Sequence, residues 1–248
     1  MWKLSGSRGE LEIEGVRFRL DAAKPHLGHL ASVSNGCFLQ LQPADARAGQ
    51  GLELSEVYVR GADLVAAYKP LPAQQLQPHV YWRGKRSPAH GAFGLEMIVS
   101  LQTSLLDSDA QTVVETGLPT GPVWRPVAAN GSGAWQFSLC QQFPSALSAR
   151  DATVLNAKTP SVLLAQPCDI GYAYCEMVHP ADFLESTVSL NRFLEPVIVS
   201  RLFQERLEKG VIRRARIAGW QIPRAANVAQ VAQELFQQFA AEPPPLTT

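Results

Sequence analysis

Apolar and polar residues alternate with a period of two through most of this chain, the pattern of strands with one buried and one solvated face. In residues 10–20, Leu11 and Ile13 alternate with Glu12 and Glu14, Gly15 interrupts the run, and Val16, Phe18 and Leu20 alternate with Arg17 and Arg19. Two strands sharing a polar face are predicted. In residues 31–42, Asn35-Gly36 between apolar runs predicts a hairpin turn, because both central residues of such a turn take positive φ. Cys37, Leu39 and Leu41 then share one face of the following strand. The same alternation predicts strands at 56–59, 64–68, 80–83, 95–105, 112–115, 134–141, 162–165, 171–178, 183–191 and 211–220. Strands recurring about every ten residues between turn residues indicate an all-β protein, an antiparallel two-sheet sandwich.

Two segments depart from that cadence. Residues 201–209 (RLFQERLEK) set Leu202, Phe203, Arg206 and Leu207 at helical spacing, with Ser200 placed as an N-cap and Gly210 just past the end, and a short helix is predicted there. Val228, Val231, Leu235, Phe236 and Phe239 form one apolar stripe along 227–241, closed by the prolines from Pro243. This predicts a C-terminal amphipathic helix lying on a sheet.

Composition narrows the classes. With 46% hydrophobic residues and 22 Lys+Arg against 22 Asp+Glu, the chain has the means to bury a core and no surplus charge. Disorder is thereby excluded, and so is the electrostatic argument for a nucleic-acid partner. Pro and Gly, 18 each, do not collect into a linker, so one domain is expected over 1–242 with a solvated tail at 243–248. Charges interrupt the first fifteen residues where a secretory segment would be apolar, and no window is apolar enough to span a bilayer, so a cytoplasmic protein without membrane insertion is expected. Cys37, Cys140, Cys168 and Cys175 include no Cys-x-x-Cys pair; reduced, mostly buried thiols are expected, with neither metal nor cofactor. Nucleotide-binding, zinc-protease and hydrolase-elbow motifs are absent from the sequence. Asn130-Gly131-Ser132 reads as a turn.

Chemistry concentrates in two strands. In residues 78–86 (PHVYWRGKR), His79, Tyr81 and Arg83 project to one face while Val80 and Trp82 project to the other. A phenol and a guanidinium beside an imidazole can hold sugar hydroxyls or a carboxylate, and the imidazole can move a proton near neutral pH. In residues 172–182 (YAYCEMVHPAD), Tyr172, Tyr174 and Glu176 share a face opposite Ala173, Cys175 and Met177, and His179 follows at the turn. Rings that stack on sugars and a carboxylate that accepts hydroxyl bonds fit a ligand-facing strand. Glu96, between Leu95 and Met97, reads as the outward position of a half-buried strand, with a buried carboxylate of raised pKa as the alternative. His26 and His29 read as exposed loop imidazoles.

With these strands placed, the chain resembles in architecture the galactose mutarotase-like β-supersandwich. The resemblance rests on the segment Leu207-Glu208-Lys209-Gly210-Val211-Ile212-Arg213-Arg214-Ala215-Arg216, similar to the entry into a last strand, and on the histidine- and glutamate-bearing strands. It implies a large twisted two-sheet fold and, in the enzymes of that family, a histidine acid facing a glutamate base across a concave sheet. No local motif fixes either role on a position here, and the C-terminal helix is not part of that expectation.

Three readings follow. The leading one is a carbohydrate-recognising sandwich, with Tyr172, Tyr174 and Glu176 on one wall and His79, Tyr81 and Arg83 on another, so that Arg83 and Glu176 line one concave face. The enzymatic alternative is a sugar epimerase with His79 or His179 as acid and Glu176 or Glu96 as base. The third is a non-enzymatic interaction protein whose exposed edges and aromatic strands build a homo-oligomer.

Overall fold

A computed structural model describes residues 1–34, 36–43, 51–72, 75–128, 135–142, 153–156, 160–167, 171–191, 195–203 and 206–243. The hairpin residue Asn35, the Asn130-Gly131-Ser132 turn, Cys168 and residues 244–248 lie outside them.

Two nine-stranded antiparallel sheets face each other. In spatial order, sheet A contains β1 (Lys3–Ser5), β2 (Arg8–Ile13), β3 (Val16–Asp21), β4 (His29–Ala31), β5 (Cys37–Pro43), β11 (Thr112–Gly117), β18 (Pro196–Leu202), β17 (Phe183–Leu190) and β14 (Thr153–Asn156). Sheet B contains β13 (Trp135–Gln142), β12 (Pro122–Ala128), β15 (Val162–Ala165), β16 (Tyr172–Val178), β20 (Ile212–Pro223), β9 (Ala92–Thr103), β8 (Leu76–Ser87), β7 (Asp63–Tyr68) and β6 (Leu54–Arg60). A small ribbon pairs β10 (Ser108–Asp109) with β19 (Arg206–Leu207). The all-β sandwich read from the alternation is the observed fold.

The alternation decides what each sheet buries. Val16, Phe18 and Leu20 point between the sheets with Leu11, while Arg17 and Arg19 stay exposed. From sheet B, Val80, Trp82, Leu95, Met97, Val99, Ala215 and Ile217 enter the same core. The outer face of sheet B forms a second core: Ala173, Cys175, Met177, Ala218, Trp220 and Ile222 meet Val228, Val231, Leu235, Phe236 and Phe239 of helix α1 (Val228–Ala241). The helix matches its predicted span, and the Asn227 side chain caps it by accepting the Gln230 N–H at 3.3 Å. His90 Nε2 meets Glu234 at 2.9 Å and fixes the helix's outer side.

The short helix expected at 201–209 does not form. Arg201 and Leu202 end β18, where Leu202 pairs with Thr112 and Phe183, and Arg206–Leu207 pairs with Ser108–Asp109; residues 204–205 lie outside the described set. Leu202 and Leu207 are buried, and Phe203 takes a positive φ of 62° that breaks the run. Strand partners on both sides outweigh the weak preference of so short a helical pattern. A second departure lies in β5. Cys37 is exposed, whereas Phe38, Leu39 and Leu41 are all buried, because a bulge opposite Thr116 shifts the register and Leu39 takes a φ of 51°. The expectation of mostly buried thiols also fails at that residue: Cys37 is exposed, Cys140 half-buried and Cys175 buried, none of the three in a disulfide.

Replacing Asn227 by Ala removes the helix cap and is expected to cost about 1 kcal/mol, read from urea unfolding. An unchanged midpoint would show that the packed apolar stripe alone fixes the helix start.

Candidate functional site

The two chemistry-bearing strands belong to one sheet but point to opposite sides of it. β16 turns Tyr172, Tyr174 and Glu176 toward sheet A, so its apolar side, with Cys175 and Met177, lies under helix α1. β8 does the reverse, burying Trp82 between the sheets and leaving His79, Tyr81 and Arg83 on the outer face of sheet B. The two-wall arrangement therefore does not exist, and Arg83 and Glu176 do not line one face. Both faces of β16 carry residues fit for burial, so alternation alone left its orientation open.

Glu176 is 2% exposed and fully engaged. The Thr116 hydroxyl donates to its Oε2 at 2.6 Å, the Tyr174 hydroxyl to the same oxygen at 3.0 Å, and the Ser200 hydroxyl to Oε1 at 3.1 Å. Ser186 and Ser200 share a hydrogen bond of 2.8 Å, and Thr116 also accepts the Leu39 N–H released by the bulge. Burial pushes the Glu176 carboxyl up to about 7 against the pull of the three hydroxyls. Burial likewise raises the Tyr174 phenol, with the Glu176 charge adding to it. The adjoining cavity, lined by Glu176, Ser186, Ser200 and Phe183, leaves about 10 Å³, no more than a water's share. The neighbouring rings close the rest: Phe38 lies 4.4 Å from Tyr174, and Phe93 lies 5.2 Å from Tyr172. His29, expected as an exposed imidazole, is buried between Phe18 and Phe38, and that desolvation lowers it to about 3, so it is neutral.

Glu96 is not an outward residue of a half-buried strand. It sits on the outer face of sheet B, but α1 and its flanks cover it completely. Arg216 Nε meets its Oε1 at 2.6 Å, and Lys85 Nζ lies 3.6 Å from Oε2. Arg216 continues to the Glu242 carboxylate and carbonyl, both at 2.9 Å, and its guanidinium lies 4.7 Å from the Phe239 ring centroid. Lys85 donates to both Glu242 oxygens at 2.9 Å. Burial raises Glu242, but the Lys85 and Arg216 hydrogen bonds overcome it and hold the carboxyl below its ordinary value. Glu242, just past the helix, is thus anchored, and Pro243 after it is exposed. His179 belongs to this layer: its ring packs edge-on to Phe239 at 5.5 Å and its Nδ1 accepts the Ala181 N–H at 3.3 Å.

Beyond the helix, the outer face of sheet B opens across β6 to β9. Tyr58, Val65, Tyr81 and Ile98 lie in one cross-strand row. Val65 and Ile98 are buried although they face outward, whereas Tyr58 is 38% exposed and Tyr81 half-buried beside them. One neighbouring row carries Arg60, Asp63 and Arg83, with Arg83 forked onto Asp63 at 2.7 and 2.8 Å. The other carries Glu56, Ala67, His79 and Ser100. Burial lowers the His79 imidazole, with Glu56 opposing, and its buried Nε2 has no hydrogen-bond partner among the described residues. Two tyrosines on strands two apart, flanked by a guanidinium–carboxylate pair and an imidazole, form a surface of stacking faces and hydroxyl partners.

No protein-family profile matches the chain, and no curated protein sequence matches it. Solved structures do. The Slr1438 protein of Synechocystis is 9% identical, with a TM-score of 0.57 over 90% of this chain and 99% of that one. A TPR-domain containing protein of Parabacteroides distasonis is 10% identical, with a TM-score of 0.53 over 87% of this chain; this chain spans 46% of that longer one. A proposed aldose 1-epimerase of Klebsiella pneumoniae is 12% identical, with a TM-score of 0.50 over 97% of this chain and 86% of that one. The likeness is one of fold.

Of the residues singled out in the sequence, the structure brings together His79, Tyr81 and Arg83 on one surface and Tyr172, Tyr174 and Glu176 in the interior; Glu96 and His179 join the layer beneath the helix. Tyr58, Glu56 and Asp63 were missed as site residues. Their period-2 spacing was readable, but which strand neighbours β8 was not. Thr116, Ser186 and Ser200 carried no signal, since hydroxyl residues are ordinary in strands.

Glu176 sets a pH dependence. Its folded value of about 7 lies above the ordinary carboxyl value of 4.5, so the folded state holds a proton that the unfolded chain releases. Stability should fall by about 3 kcal/mol as pH rises from 4.5 to 7 and then level off. Glu176→Gln should flatten that slope in chemical unfolding; an unchanged slope assigns it elsewhere. Arg216→Ala strands the covered Glu96 charge and should cost about 3 to 5 kcal/mol, with Glu96→Gln in the same chain restoring part of the loss. A loss under about 1 kcal/mol would mean that water or Lys85 takes over the carboxylate.

Proposed function

We propose that this protein is a carbohydrate-recognising β-sandwich that binds sugar on the outer face of sheet B across β6 to β9. The observation that carries the reading is the row in which an exposed Tyr58 and a half-buried Tyr81 flank Val65, between the Arg83–Asp63 pair and His79. Phenol faces take the apolar side of a pyranose, and the paired charges exchange hydrogen bonds with its hydroxyls. The fold likeness to a proposed aldose 1-epimerase adds a sugar-handling neighbour.

Recognition is favoured over epimerisation because both candidate bases are withdrawn from solvent. Glu176 is enclosed by hydroxyls between the sheets, and Glu96 is enclosed by Arg216 beneath α1. His79 lies on the opposite face of sheet B from Glu176. An acid and a base must reach one substrate atom, and a carboxylate closed off from solvent reaches none.

Titration of immobilised and soluble glycans should find a binder whose affinity falls at least tenfold in Tyr58→Ala and in Tyr81→Ala, with unfolding midpoints near the parent's. A panel without a binder, or variants that bind as the parent does, would remove the proposal.

A further inference from the structure

A larger cleft lies on the other side of the molecule, over the outer face of sheet A. It encloses about 750 Å³ across β1 to β5. Its walls include Leu27 and Leu30, which are 52% and 50% exposed although both are large and apolar. The turn Pro25–Leu27 stands over β5 because Gly28 follows it at a φ of 64°; a Cβ there would lie 2.2 Å from the Phe38 carbonyl oxygen. Glycine is therefore required where this wall closes onto the sheet.

Charge around the cleft is uneven. Glu10 is held by Arg19 at 3.1 Å and Arg17 at 3.3 Å, and Asp21 accepts the Ser7 hydroxyl at 2.6 Å and the Ala23 N–H at 3.0 Å. Lys3 and Arg8, also lining the cleft, form no ion pair among the described residues. At the opposite end the exposed Cys37 thiol is raised by partial desolvation, and the Glu195 charge adds to it. Among the described residues no aromatic ring lines the cleft, so a stacked sugar finds no platform on them.

We propose that this cleft binds a free single-chain amphiphile with an anionic head, the hydrocarbon lying along Leu27 and Leu30 and the head at Lys3 and Arg8. Unpaired cations beside exposed leucines fit that chemistry, since burying the chain releases apolar surface from water while the head meets two positive charges. The site stands on other residues, and on the other sheet, from the sugar surface, so either can fail alone.

Calorimetric titration with decanoate and with decanol, both below micelle-forming concentrations, tests it. Decanoate should bind at least tenfold more tightly than decanol. The Lys3→Gln, Arg8→Gln double variant should abolish that difference while leaving decanol affinity unchanged, and Leu30→Asp should weaken both ligands. Saturating decanoate should also slow maleimide labelling of Cys37. Equal affinity for the two ligands, a double variant that binds decanoate as the parent does, or equally tight capture on phosphatidylglycerol vesicles would overturn the proposal.

Discussion

The centre of sheet B is buried on both faces, and the rest of the structure answers to that constraint. One face of β16, β20 and β9 meets sheet A, and the other meets helix α1. A strand covered on both sides has no solvated side on which to place its polar residues, so any it keeps must be neutralised where it stands. Glu176 is met from the inner side by three hydroxyls, and Glu96 from the outer side by Arg216. The two carboxylates belong to the same sheet, and each takes its partners from the layer that covers it.

That constraint also sorts structure from recognition. Side chains that read as chemistry in the sequence, a glutamate after two tyrosines and a histidine at a turn, are consumed in closing the interior and seating the helix. Arg216 shows how far the linkage runs: one guanidinium joins β9 to the end of α1 and packs on Phe239, tying the helix to the sheet through charge as well as apolar contact. Where the helix stops, sheet B regains a solvated side, and Tyr58, Tyr81, Arg83 and His79 meet water together. The outer face of sheet A carries a different chemistry again, with leucines and cations in place of phenols.

The alternation of apolar and polar residues was sufficient to read most of the longer strands, the antiparallel class and the polar faces of β2, β3 and β8, because a period of two survives any choice of neighbours; β1, β4, β12, β14 and β18 were not read. The stripe at Val228, Val231, Leu235, Phe236 and Phe239 likewise specified α1, and Asn227 its start. Where local and tertiary preferences disagreed, tertiary pairing prevailed. Leu202 and Leu207 have helical spacing but are buried in strands, because each has an antiparallel partner that one turn of helix would forfeit.

By itself, then, the sequence determined the strand pattern, the class and the closing helix, since these follow from spacing within one segment. Only the tertiary structure decided which face of β16 turned inward, because Tyr174 with Glu176 and Cys175 with Met177 are both sets that a covered face accepts. It alone brought Glu96 to Arg216 across 120 positions of chain, and Tyr58 beside Tyr81, contacts that no local period encodes. Partners across a sheet are chosen by how all the strands pack together, and that packing is a property of the whole core.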